Sequence, residues 1–189
     1  MTLAIRQVGL DKLPIYATIP IRFRVESILQ VQVINEGWGG FLLTEERIEP
    51  AYTKDYDEQD PDAGPTSWPR DFDVRNWSFF LATQGSEAVG GATIAFDTPE
   101  IRMLQGRRDL GVLWDIRVAP GARGQGIGSQ LFQQAAAWTR QKSCRYLIVE
   151  TQNVNVPACR FYAGQGCALG CINRYAYAAE PHVAHEVQM

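Results

Sequence analysis

None of the four cysteines, Cys144, Cys159, Cys167 and Cys171, belongs to a CxxC pair, and the opening stretch MTLAIRQVGLDK lacks the charged start and apolar centre of a signal peptide. Without an export signal the thiols read as reduced, and neither a disulfide framework nor a metal site is expected. No uninterrupted apolar run approaches the length of a membrane span, so no membrane partner is expected and the chain reads as cytoplasmic. Histidine is scarce as well. His182 and His185 stand near the C-terminus outside any HExxH context, which makes them neither metal ligands nor catalytic groups. No internal repeat or low-complexity tract occurs, and a net charge of only -3 gives no reason to expect a nucleic-acid partner. The 189 residues, 46% hydrophobic and 21% charged, suit one soluble domain over residues 1–189 with a substantial core.

What the chain does have is an uneven charge pattern. Glu45 to Asp62 holds eight acidic residues against Arg47 and Lys54, a balance of -6, whereas Ile101 to Arg145 has a balance of +6. An anionic ligand on the later segment and a cationic one elsewhere would suit this pattern; two solvated faces are the plainer alternative. Ile19 to Val33 alternates with a two-residue period and is expected to be strand, after which NEGWGG (Asn35 to Gly40) marks a turn. Asp55 to Pro69 reads as a long surface loop, and Trp77 to Thr83 with Ala88 to Asp97 as a hairpin. Val112 to Ala119 is β-branched and apolar enough for a buried strand, while Ile127, Leu131, Phe132, Ala135 and Trp138 recur at helical spacing through Lys142. Arg145 to Thr151 reads as a second buried strand. Pro157 suits the first turn of a short helix ending near Gly164 or Gly166, and Ala168 to Ala178 reads as a further strand.

Between the strand and the long helix lies RGQGIGSQ, residues 123–130. A helix start offers N–H groups without intrahelical partners and the positive end of the dipole, and glycines let an anion reach that backbone. A Walker loop is ruled out because Ser129 and Gln130, not Lys-Ser/Thr, follow Gly128. A dinucleotide fingerprint fits poorly, since Leu131 fills the third glycine position and the loop lies late in a strand-rich chain. The remaining pattern is R-x-x-G-x-G, made by Arg123, Gly126 and Gly128.

DIRVAPGARGQGIGSQLF, followed after one strand by ETQNVNVPACRFYAGQGC, resembles the acetyl-CoA motif of the GNAT superfamily of N-acetyltransferases, over about Val112 to Cys167. The second string, together with YTKDYDE (Tyr52 to Glu58) and RNWSFFLAT (Arg75 to Thr83), is more narrowly similar to the streptothricin acetyltransferase group. The resemblance implies an α/β (α+β) fold: a mixed, mostly antiparallel central sheet flanked by helices, with a splayed strand pair holding acetyl-CoA. Residues 1–111 would form the acceptor-side half, including the acidic loop 45–69, and residues 112–178 the acetyl-CoA-binding core. By the same resemblance Ile116, Arg117 and Val118 pair their backbone with pantetheine, and Asn155 adds a side-chain amide; on spacing alone Asn155 is as well explained as the first residue of a helix. The backbone of Arg123, Gly124, Gln125, Gly126, Ile127, Gly128 and Ser129 would take the pyrophosphate.

The chemistry asks for a proton acceptor on the amine and a proton donor for the departing thiolate. The family places its general acid at Tyr162, a phenol of pKa about 10 that can donate to a thiolate whose conjugate acid has a pKa near 8.5. Glu150 is the first candidate base, at the position where related ribosomal-protein acetyltransferases have a glutamate; Asp115 is the alternative. Backbone N–H groups near Ile116 would polarise the thioester carbonyl. The acceptor is expected to be a small-molecule cationic amine, with Trp38, Tyr52, Tyr56, Trp77, Tyr175 and Tyr177 as candidate pocket walls. A homodimer remains open. A protein N-terminal or lysine acetyltransferase and a non-catalytic CoA-binding sensor are the rival readings.

Overall fold

The computed structural model of the protein describes residues 2–189. In chain order the strands are β1 (Leu3–Val8), β2 (Phe23–Val33), β3 (Phe41–Lys54), β4 (Ser78–Gln84), β5 (Glu87–Ala95), β6 (Leu110–Val118) and β7 (Tyr146–Val149). The helices are α1 (Leu13–Tyr16), α2 (Tyr56–Gln59), α3 (Trp68–Asp71), α4 (Ile127–Gln141) and α5 (Val156–Gly164). Backbone contacts divide the chain into two compact units, Met1–Arg22 with Asp55–Val149, and Phe23–Lys54 with Glu150–Met189.

The first unit is a five-stranded sheet in the order β1-β4-β5-β6-β7. All neighbours are antiparallel except β6 and β7, which run parallel. Successive strand residues point to opposite faces, and on β5 both faces are crowded. A Cβ at Gly90 would meet Leu131 and Ile127 of α4 at 3.0 and 3.2 Å, and one at Gly91 would run into the Tyr16 ring at 2.3 Å. The two glycines therefore let α4 close on one face and Tyr16 on the other. Under α4 lie Ile127, Leu131, Phe132, Ala135 and Trp138, all buried, as the helical spacing requires. The opposite face is an aromatic core in which Trp68 meets Tyr16, Trp77 and Phe79 at ring separations of 5.8, 6.2 and 6.3 Å.

β6 is the strand that leads into the glycine turn. It pairs with β7 only from Leu110 to Leu113, opposite Tyr146–Val149, but stays paired with β5 as far as Val118. The register against β5 steps from Leu113 to Asp115, so Trp114 is a bulge where β7 ends. Beyond it, β6 has left its parallel neighbour, which is the splayed pair expected from the resemblance.

The second unit is built on the antiparallel ribbon of β2 and β3, whose register breaks between Val25↔Tyr52 and Ser27↔Arg47 around the cis Glu49–Pro50 bond. Two strands alone rarely stand in water. Here the ribbon is tied down by Asn153, which donates from Nδ2 to the Leu29 carbonyl while its own carbonyl accepts from Leu29 N–H. The C-terminus returns to the same place: Thr151 and Met189 exchange backbone hydrogen bonds of 3.1 and 2.8 Å, and Lys54 forms a buried ion pair with Glu186 at 2.5 Å.

Four expectations need correction. Strand begins at Phe23, not Ile19, because Ile19 closes a turn on the Tyr16 carbonyl and is buried with the core. Asp55 to Pro69 is not a plain surface loop: it contains α2, and Trp68 plugs the aromatic core. β7 is shorter and less buried than expected, since it forms the sheet edge. Ala168 to Ala178 is no strand but a series of turns with a single bridge at Asn173, whose side chain accepts from Tyr175 N–H. Leu169 and Tyr175 are exposed there, so the apparent alternation has no sheet to face.

Candidate functional site

The glycine turn lies wholly in the first unit. Gly124 and Gly126 both have φ of 76°, and a Cβ at either, or at Gly121, would meet nothing within 4 Å. Backbone conformation, not crowding within the protein, is thus what requires Gly124 and Gly126. Gly126 is the N-cap of α4 and offers no side-chain cap; the first helical bond runs from Gln130 N–H to the Gly126 carbonyl. Helix geometry gives the N–H groups of Ile127 and Gly128 no carbonyl one turn back. Arg123 turns its guanidinium onto protein backbone: Nε donates to Val118 O at 2.9 Å and Nη2 to Arg22 O at 2.7 Å. Partial burial, and then the charge of Arg22, lower its pKa. These two bonds fasten the turn to the end of β6.

On β6, Ile116 is half-buried and Val118 anchors Arg123, while Arg117 does something its sequence position did not disclose. Its buried guanidinium donates to Asp115 (2.6 Å), Asp57 (3.0 Å) and the Ile19 carbonyl (3.0 Å). Burial works against that charge, but the field of Asp115 and its hydrogen bonds outweigh it and hold the pKa above the ordinary arginine value. Tyr16 OH donates to the same Asp115 at 2.6 Å. Burial first, and then the Asp115 charge, raise the Tyr16 pKa well above the usual phenol value, so it stays a donor. Tyr16 and the guanidinium fork of Arg117 thus occupy both carboxylate oxygens of Asp115. No local pattern could reveal this cluster, since the partners of Asp115 and Arg117 stand 99, 60 and 98 residues away.

Glu150, Asn155 and Tyr162 belong to the second unit. Glu150 is half-buried, and its Oε1 accepts from Tyr177 OH at 2.6 Å. Asn155 caps α5, its Oδ1 accepting from Ala158 N–H at 3.2 Å, and Pro157 sits in the first turn. Tyr162 is half-buried on that helix, with its ring 5.2 Å from Phe161. Of the proposed pocket walls, Trp77 belongs instead to the core, where its Nε1 donates to Thr98 Oγ1 at 2.7 Å. Trp38 is 90% exposed at the tip of the β2–β3 ribbon. The acidic segment is also partly committed: Asp55 caps α2 by accepting from Asp57 N–H, Asp57 holds Arg117, and Glu45 pairs with Arg160. Among the described residues, no group of three His, Cys, Asp or Glu side chains is placed to hold a metal, and no helix is long and apolar enough to cross a membrane.

Comparison with known proteins shows the family and the fold. The model of the acetyltransferase (GNAT) family matches residues 44–167. Streptothricin acetyltransferase A of Bacillus subtilis (strain 168) is 26% identical over 149 residues, 79% of this chain and 77% of that protein. A streptothricin acetyltransferase of Escherichia coli is 29% identical over 167 residues, 88% of this chain and 82% of the relative. Among solved structures, a nourseothricin acetyltransferase shares the fold with a TM-score of 0.76 at 21% identity, covering 100% of this chain and 95% of its own.

Proposed function

Since the chain belongs to the acetyltransferase (GNAT) family and is an acetyl-CoA-dependent N-acetyltransferase, we propose that its acceptor is a small cationic primary amine of the streptothricin kind. The acceptor class rests on the curated relatives, which are streptothricin acetyltransferases matched over 79% and 88% of the chain. The seat of the cosubstrate rests on one observation. β6 runs on to Val118 after β7 has stopped opposite Leu113, and delivers that edge to a turn with two left-handed glycines.

In this reading the backbone of Ile116, Arg117 and Val118 receives the amide-bearing arm as an added strand would. The N–H groups from Arg123 to Ser129 receive the pyrophosphate. Asn155 keeps its oxygen on Ala158 and offers its amide protons to the arm. Glu150 accepts the proton that the amine loses as its nitrogen bonds to the acetyl carbon. Tyr162 gives a proton to the sulfur as the carbon–sulfur bond breaks, so that neither charge accumulates. The occupied oxygens of Asp115 favour Glu150 as the base.

The test is release of CoA thiol from acetyl-CoA across a panel of amines and peptides. Fast release with polycationic small amines, and little with peptides, is the expected result. Preference for peptides would replace this reading with a protein acetyltransferase. No release with any acceptor would leave a CoA-binding sensor.

A further inference from the structure

Glu150 is the end of a directed hydrogen-bond chain. Gln152 Nε2 donates to Tyr177 OH at 2.9 Å, and Tyr177 OH donates to Glu150 Oε1 at 2.6 Å. The order matters, because a phenol oxygen that accepts from an amide has its own proton left for the carboxylate. All three groups are half-buried, where water competes less for such bonds. The backbone beneath them is fixed as well, since Thr151 is bonded in both directions to Met189 and Asn153 N–H donates to Val187 O. Tyr177 itself comes from the turn-rich segment that no strand pairing holds, so its bond to Glu150 reaches back 27 residues.

We propose that Tyr177 is a positioning residue for the reaction: by occupying Oε1 of Glu150, and by being oriented through Gln152, it presents Oε2 to the amine proton. This rests on the reading of Glu150 as the proton acceptor. Tyr177 is then no wall of the acceptor pocket, and it needs no contact with either substrate. A carboxylate free to rotate about its last torsion spends part of its time misdirected, whereas one oxygen tied at 2.6 Å holds the other in place.

Four variants test this: Tyr177→Phe, Gln152→Leu, Glu150→Gln, and the double variant Tyr177→Phe/Glu150→Gln, each read by kcat, both KM values and thermal unfolding. Tyr177→Phe keeps the ring and should lower kcat about tenfold, the scale of one hydrogen bond to a charged group, with the KM for acetyl-CoA within about twofold of the parent. Gln152→Leu, which removes the orienting amide, should lower kcat about threefold and stands in should Tyr177→Phe fail to fold. The double variant should be no slower than Glu150→Gln alone, because Tyr177 has nothing to position once the carboxylate is gone. Full kcat in Tyr177→Phe while Glu150→Gln is slow would overturn this inference and leave the base assignment intact. Multiplicative losses in the double variant would also overturn it, placing Tyr177 on the substrate. Full kcat in Glu150→Gln would overturn the base assignment first, and the positioning role with it.

Discussion

Two helices of this protein begin in opposite ways. α5 starts on Asn155, whose side chain takes the Ala158 N–H, and continues through Pro157, which has no N–H to satisfy. α4 starts on Gly126 in a left-handed conformation, has no side-chain cap, and is preceded by a second left-handed glycine, Gly124. A capped start is complete in itself, whereas an uncapped one leaves N–H groups and dipole for something that arrives. The long helix, which buries Leu131 and Trp138 and can stand the loss of a cap, is the one left open. The short helix of Val156–Gly164 is the one that needs its cap to persist. The proposed function places backbone binding on α4 and side-chain chemistry on α5, and each half of that proposal can be broken separately.

The largest effect is expected from α5. Tyr162→Phe keeps the ring against Phe161 and removes only the hydroxyl, so kcat should fall roughly 10²- to 10⁴-fold in a steady-state assay with acetyl-CoA affinity little changed. An unimpaired kcat would take the acid role away from α5. Next comes α4, where Gly128→Asp places a carboxylate inside the first helical turn. A negative charge there complements the dipole, so thermal stability should hold or rise, while acetyl-CoA affinity drops by about an order of magnitude or more. Unchanged binding by calorimetry would mean that the open start of α4 is not where the phosphates sit.

A smaller effect separates capping from binding at Asn155. Asn155→Ala should cost about 1 kcal/mol of stability, the usual worth of a lost N-cap, and also raise the KM for acetyl-CoA. Asn155→Asp keeps an oxygen for the Ala158 N–H but loses the amide protons. It should restore the melting temperature without restoring the KM. If Asp restores both, Asn155 is a cap and nothing more.

The contrast between the two starts is half legible in the sequence. RGQGIGSQ is a local pattern, and so is Asn155 with Pro157, because turn and cap chemistry is decided within a few residues. β4 to β6 are legible for the same reason, being apolar runs bounded by turn residues. Arg117 reads from sequence for its backbone alone, since its side-chain partners other than Asp115 come from α1, α2 and the turn at Ile19. Ala168 to Ala178 fails the other way: β-prone residues alternate there, but strand is made by a neighbour, and none is present beyond the bridge at Asn173. The role of the last four residues is invisible in sequence because Glu186 and Val187 gain meaning only through Lys54 and Asn153, far back in the chain.

A third helix start gives the smallest effect and corrects the reading of the acidic segment. α2 is capped by Asp55, and its Asp57 is 37% exposed while bonded to Arg117, so neutralising these two would disturb structure before it disturbed any acceptor. Glu58 and Asp60 are the exposed charges of that turn. If the segment draws in a polycationic amine, Glu58→Gln with Asp60→Asn should lower kcat/KM for that amine about twofold at low ionic strength and flatten its decline with added salt, because screening at about 0.15 M already acts over roughly 8 Å. A monoamine should respond less, and the KM for acetyl-CoA should stay put. Asp57→Asn, by contrast, should lower the melting temperature, since it removes the negative charge and one acceptor oxygen beside a buried guanidinium. A double variant that keeps the parent's salt dependence toward the polycation would reduce the segment to a solvated turn, and the cationic acceptor would then rest on the relatives alone.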